Sequence, residues 1–224
     1  MDIYRPSVRK IIGRPHSLKK AANAPQEPAE RPSLKKAQFL GREFFCRSPL
    51  ECSRELIGAT LRWGNFSGNV VETEAYESEG DPACHTFFRS SARTFVATYP
   101  AGTAYVYLNY GIHWMLNVLV KGNRSGFVLI RALHPTTGIE AMQINRKRTI
   151  LTQLCSGPGK LTQALGIRGT DHGLDLCSDP RYSFYAGPPQ QTLRHCPRIG
   201  ISVAVDYLWR FVAADSPHLS VPPT

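Results

Sequence analysis

Glu72 and Glu74 stand in the stretch Val71-Glu72-Thr73-Glu74-Ala75-Tyr76. In an extended strand side chains alternate, so Glu72, Glu74 and Tyr76 share one face. Two carboxylates and a ring suit neither a core nor a plain solvent face. A carboxylate held beside a ring can act as a general base on water. Alternation does not choose between Glu72 and Glu74, and a surface ion pair would use either. Tyr105 and Tyr107 share a face of a second predicted strand. Next to the first, their rings would wall a flat slot suited to a planar base; two half-buried sheet tyrosines would read the same. Tyr110 lies between Asn109 and Gly111 at a predicted hairpin tip. A ring on a rigid tip fits insertion into a base stack, or folds back on neighbouring loops. Gly157-Pro158-Gly159-Lys160 is a glycine-rich turn opening a helix, able to hold a phosphate on backbone N–H groups or to serve as an ordinary joint. Leu154 stands where a nucleotide-triphosphate loop requires glycine, so a DNA backbone phosphate fits better.

These residues need elements to position them. Ser48-Pro49-Leu50-Glu51 reads as a helix start: Ser48 caps, Pro49 fits the first helical position, and Glu51 completes a capping box. Gly58 stops that helix. Strands are predicted at 59–63 and 69–76. Residues 81–100 read as an irregular polar loop. Residues 103–108, 112–120 and 127–133 form an antiparallel meander with turns at Asn109-Tyr110-Gly111 and at 121–126. Helices follow at 137–148 and 160–165, then a loop-rich stretch at 168–190 and closing strands at 198–205 and 209–213. The expected fold is α+β: a single mixed domain with a curved antiparallel sheet flanked by helices, over residues 39–224.

The chain has 224 residues, with 27 Lys and Arg against 17 Asp and Glu, a net charge of +10. Such a balance points to a polyanionic partner, nucleic acid above others. Residues 1–38 hold nine basic residues against three acids, so six net charges sit there and four elsewhere. This stretch reads as a disordered basic arm that adds DNA affinity by counterion release or aids solubility. Its Arg-rich composition is also compatible with organelle targeting. The six cysteines form no C-x-x-C pair, which fits a reduced intracellular protein and gives no zinc-binding spacing. No apolar run reaches membrane-spanning length, and no signal peptide is expected.

Taken together, the segments VETEAY (71–76), His85, PAGTAYVYLNYGIHWMLN (100–117), LIRALHP (129–135), CSGPGKL (155–161) and PRIGI (197–201) are jointly specific. In order and spacing the chain from about residue 39 onward resembles the alkyladenine (3-methyladenine, methylpurine) DNA glycosylase family. The resemblance implies a monofunctional glycosylase that flips a damaged purine out of duplex DNA and hydrolyses its N-glycosidic bond, initiating base excision repair. Alkylated and deaminated purines are the implied substrates. Glu74, rather than Glu72, then deprotonates the attacking water, and Arg131 lies near the water and the 3′ phosphate. Tyr76 and Tyr107 wall the base pocket, His85 contacts the flipped base, and Asn117 crowds the 2-amino group of normal guanine. Tyr110 is the wedge that fills the gap in the duplex. Arg93, Gly157 and Lys160 are expected at the DNA backbone. The family's loop after His85 often carries a T-P-R-N-like segment; here it reads Ser91-Ala92-Arg93-Thr94, with Thr94 in place of Asn and Phe87-Phe88 ahead of it. No metal or organic cofactor is implied. The expected protein is a monomer, intracellular and DNA-associated, with damaged duplex DNA as its partner. Two rivals predict otherwise: a non-catalytic nucleic-acid binder on the same fold, indifferent to Glu74→Gln, and a ligand-binding or acyl-group-handling enzyme sharing only the fold, with no selective affinity for damaged duplex.

Overall fold

The computed structural model of the chain describes residues 38–188 and 192–223. Apart from Gln38, the basic arm expected over residues 1–38 lies outside the described residues. Among the described residues eight strands form one antiparallel sheet: β1 (Thr60–Trp63), β2 (Phe66–Glu77), β3 (Ala104–Asn109), β4 (His113–Lys121), β5 (Ser125–Thr137), β6 (Tyr182–Tyr185), β7 (Leu193–Cys196) and β8 (Arg210–Ala213). The main path runs β3-β4-β5-β2-β1-β6. β2 is its spine. One edge pairs with β5, and the other meets β1 near its start and β8 opposite Glu72–Glu74. Register shifts between β2 and β5 around Val70, Glu72 and Thr73 bend the pair, as bulges do, and help curl the sheet. The result is the expected α+β domain, one mixed domain with a curled antiparallel sheet.

Among the described residues six α-helices surround it: α1 (Arg42–Phe45), α2 (Pro49–Glu55), α3 (His85–Phe88), α4 (Ser90–Thr98), α5 (Ile139–Arg146) and α6 (Pro158–Leu165). α2 begins as its sequence predicts. The Ser48 hydroxyl accepts the Glu51 N–H, and the Glu51 carboxylate accepts the Ser48 N–H at 3.0 Å. The main core joins Leu56, Val70, Ala75, Val118, Ile130 and Leu161. A second, smaller cluster holds Cys84, Ala92, Phe95, Tyr105, Leu119 and Phe127. Among the described residues no helix is long and apolar enough to cross a membrane.

Three expectations are corrected. Residues 81–100 are not an irregular loop but carry α3 and α4. Ala92, Phe95, Val96 and Tyr99 fall at i, i+3, i+4 and i+7, a helical stripe. Phe95 buries against Tyr105 at 5.0 Å and stacks on Tyr99 at 4.3 Å, a burial that contributes about 1.5–3 kcal/mol. Residues 198–205 form no strand. β8 already occupies the edge of β2 beside them, and left-handed backbone at Gly200 (φ 78°) and Ala204 (φ 51°) breaks an extended run. The stretch 168–190 contains β6, an edge strand on β1, and β7 was likewise unforeseen.

Candidate active site

The bulges between β2 and β5 set the site. Glu72 pairs with Ala132 and Thr73 with Ile130, so Arg131 is the extra residue on β5. A bulge re-aims a side chain, and Arg131 reaches both carboxylates. Its Nε donates to Glu72 at 2.8 Å, and its Nη1 lies 3.3 Å from Glu74. The puzzle of two acids on one strand face is thus resolved by a guanidinium between them. All three side chains are buried.

The two carboxylates differ in surroundings. Glu72 also accepts from Arg210 Nε at 2.8 Å and from the N–H and hydroxyl of Ser220, each at 2.7 Å. Burial opposes its charge, but Arg131, Arg210 and Ser220 outweigh burial and hold its pKa below the usual carboxylate range. Glu74 accepts from the Ile199 N–H on Oε1 and from the Tyr76 hydroxyl on Oε2, each at 2.7 Å. Here burial wins over Arg131, the Ile199 N–H and Tyr76, and the pKa is raised. Glu72 is therefore a satisfied structural anion. Glu74 is the stronger base. A carboxylate offers about four lone-pair sites, and the contacts to Ile199, Arg131 and Tyr76 leave one of them on Oε2 without a partner among the described residues.

Beside Glu74 opens a cavity of about 680 Å³. Glu74 is not on its wall; Tyr76 and Arg131, which contact it, are. So are His85, Tyr107, Asn117 and Tyr110. The helix α3 places His85 with its ring 4.3 Å from Tyr107, and its Nδ1 lies 3.1 Å from the Tyr105 hydroxyl. Burial, with Arg89 adding to it, lowers the His85 pKa to about 4, so the imidazole is neutral at physiological pH. Burial pushes Tyr107 up to about 12 and Tyr76 well above its ordinary value. Asn117 donates to the Tyr105 carbonyl at 3.2 Å, which fixes its amide in the wall. Tyr110 holds a left-handed backbone (φ 49°) at the β3–β4 turn and is 86% exposed at the cavity rim. For a bulky residue that conformation is strained.

Tyr76 is held from two directions. Its hydroxyl is fixed by Glu74, and the Arg198 guanidinium lies over its ring, 4.7 Å from the centroid. Arg198 is buried, paired with Asp81 at 2.6 and 2.9 Å, and donates to the Ala75 carbonyl at 3.1 Å.

Glu74, Arg131, Tyr76, His85, Tyr107, Asn117 and Tyr110 are brought together. The remaining three predicted contacts stand apart from this group. Arg93 is exposed on α4 and donates to the Thr86 carbonyl at 2.7 Å, tying α4 to α3. The N–H of Gly157 turns inward to the Cys155 carbonyl at 3.0 Å, so Gly157 shapes the turn before α6 rather than offering its own N–H to an anion. Lys160 is exposed one turn further on, its Nζ 3.5 Å from the Ser156 hydroxyl. Sequence reasoning missed Arg198, Asp81, Arg210, Ser220 and the Ile199 N–H. Arg198 and Ile199 lie within the quoted PRIGI segment, a signal that could have found them; Asp81 and Ser220 carried none.

The chain is similar to known proteins over most of its length. Residues 43–217 match the family model described as methylpurine-DNA glycosylase. A relative from Rhodopseudomonas palustris, provisionally named 3-methyladenine DNA glycosylase, is 45% identical over 202 residues, covering 90% of this chain and 97% of its own. Relatives with the same provisional name from Granulibacter bethesdensis (43%, 79% of this chain and 85% of its own) and Agrobacterium fabrum (43%, 80% and 91%) are similarly close.

Proposed function

Since the chain belongs to the methylpurine-DNA glycosylase family, and is thus a DNA glycosylase, a hydrolase of N-glycosyl bonds, we propose that it excises damaged purines, alkylated or deaminated, by base flipping and monofunctional hydrolysis. Tyr110 enters the base stack as the lesion leaves it, which costs least for a weakened pair. The base passes between Tyr76 and Tyr107, where His85 and Asn117 meet its edges. Glu74 takes a proton from water held at its open Oε2 site. The water oxygen bonds to C1′, the C1′–N bond breaks, and its electron pair leaves with the base. For a cationic alkylpurine that pair neutralises the charge, so no acid is needed. For a neutral purine the departing base takes its proton from solvent. His85 is already neutral, and Tyr76 and Tyr107 hold their protons too firmly to lend one at neutral pH.

One observation carries this reading: a buried carboxylate of raised pKa, aligned by the Tyr76 hydroxyl and the Ile199 N–H beside an aromatic cavity. Lys160, Arg93 and the helix opened by Gly157 serve the DNA backbone in this reading. Residues 39–224 act as the catalytic unit, as a monomer and on intracellular DNA, while the charge of residues 1–38 adds backbone affinity. The test is incubation with a duplex carrying one hypoxanthine, ethenoadenine or 7-methylguanine. The free base should appear while the strand stays intact until alkali is added, and a chelator should leave the rate unchanged. Strand scission without alkali, or loss of activity in chelator, would overturn the monofunctional, cofactor-free reading.

A further inference from the structure

Tyr76 lines the cavity, and a guanidinium that does not line it lies over the same ring. The Arg198 guanidinium lies 4.7 Å from the ring centroid and also stacks 5.1 Å from Trp209 and 5.8 Å from Tyr207. Its side chain is fully buried, as is that of Asp81, and neither residue lines the cavity. The positive charge is thus fixed behind one wall of the pocket. Among the described residues the Arg198 Nε has no hydrogen-bond partner, and the guanidinium is held by Asp81 and by the ring faces around it.

We propose that Arg198 sets the charge preference of the pocket: through Tyr76 it disfavours cationic bases relative to neutral ones. The proposal rests on the reading above, in which the flipped base stacks on Tyr76. An electron-rich ring attracts a cation by its quadrupole. A guanidinium already seated on one face opposes a second cation on the other. A base in van der Waals contact with the opposite face stands about 8 Å from the guanidinium carbon. The preference holds however far the bond has broken. A neutral purine moves from zero toward negative charge in the transition state, and an alkylated purine moves from positive toward zero. At every stage the two differ by one unit of charge, and that unit feels the potential of Arg198. Asp81 offsets part of this potential in the intact protein, so Arg198 and Asp81 together tune it.

The test is competition between a duplex with 7-methylguanine and one with hypoxanthine, in one tube, for the parent protein, Asp81→Asn, and Asp81→Asn with Arg198→Met. Competition reads the ratio of kcat/KM values. Asp81→Asn keeps the guanidinium and removes its offset, so the cationic-to-neutral ratio should fall below the parent's. Adding Arg198→Met to Asp81→Asn removes only the guanidinium, and the ratio should rise by about tenfold to thirtyfold, from one charge at about 8 Å and an effective dielectric near 20. Opposite signs separate this from a merely structural role, in which both variants would depress both lesions together. If the ratio in the two variants agrees within about twofold while the parent excises both bases, Arg198 does not set preference and the glycosylase reading stands. If the parent releases neither base, the glycosylase reading falls and this proposal with it.

Discussion

Replacing Glu72 by Gln should cost the protein much of its stability. Glu72 Oε1 accepts three donors, from Arg131, Arg210 and the Ser220 hydroxyl, and Oε2 accepts the Ser220 N–H. Glutamine keeps one carbonyl oxygen for the first three, but as neutral bonds of roughly half the strength. Its amide then points N–H at the N–H of Ser220. Two buried guanidiniums lose the anion they share. Breaking such a buried group costs about 3–5 kcal/mol, a large part of the about 5–15 kcal/mol that holds a domain. With a urea m-value near 2 kcal/mol/M, the unfolding midpoint should fall by about 1.5–2.5 M. The difference should shrink in acid. The folded pKa of Glu72 is depressed, so its stabilisation is complete above the unfolded carboxylate value, about 4.3, and fades as pH falls through the lower folded value. Urea titrations of parent and variant at pH 7 and pH 3 check both points. A midpoint shift under about 0.5 M at pH 7, which is about 1 kcal/mol, would refute the assignment of Glu72 as the structural anion.

Two further outcomes follow from the same geometry. Tyr110→Gly relieves the left-handed strain at φ 49° and should raise stability by about 1 kcal/mol in urea titration, while it slows release of ethenoadenine from duplex far more than from single strands. The His85 ring should show no titration by NMR between pH 5 and 8, since burial and Arg89 hold its pKa near 4. Its folded pKa is depressed, so the linked stability is complete above the unfolded His value, about 6.5, and is lost progressively as pH falls from there through the folded value near 4.

The framework was legible where local chemistry decides. The capping box at Ser48 and Glu51, the β3–β4–β5 meander and the turn that presents Tyr110 all stand in the sequence, because each depends on residues a few positions apart. α4 was missed: Ala92, Phe95, Val96 and Tyr99 carry a helical stripe, but polar neighbours such as Arg93 and Thr94 hid the period. The conformation of 198–205 was not readable, because it depends on β8 taking the edge of β2 and on the Ile199 N–H capping Glu74, residues far apart in sequence. The same holds for Arg198 with Asp81 and for Ser220 with Glu72: each is a long-range pair whose partners give no local pattern. Alternation placed Glu72 and Glu74 on one face but could not separate them. Their difference lies in Arg210 and Ser220, which reach Glu72 from the far end of the chain.

Single-turnover release of ethenoadenine or hypoxanthine by the parent and by Glu74→Gln tests the central claim most directly. Glutamine can accept the Ile199 N–H and donate to the Tyr76 hydroxyl, since a tyrosine hydroxyl accepts as well as donates. The fold should therefore persist. Because the Glu74 pKa is raised in the folded state, its charge weighs against stability as pH rises above the unfolded value, and the variant should melt at or above the parent. Release should fall by about 10²–10⁴-fold, the usual contribution of a general base, with binding to the damaged duplex retained. A Glu74→Gln protein that binds the duplex and releases the base at the parent's rate would contradict Glu74 as the base.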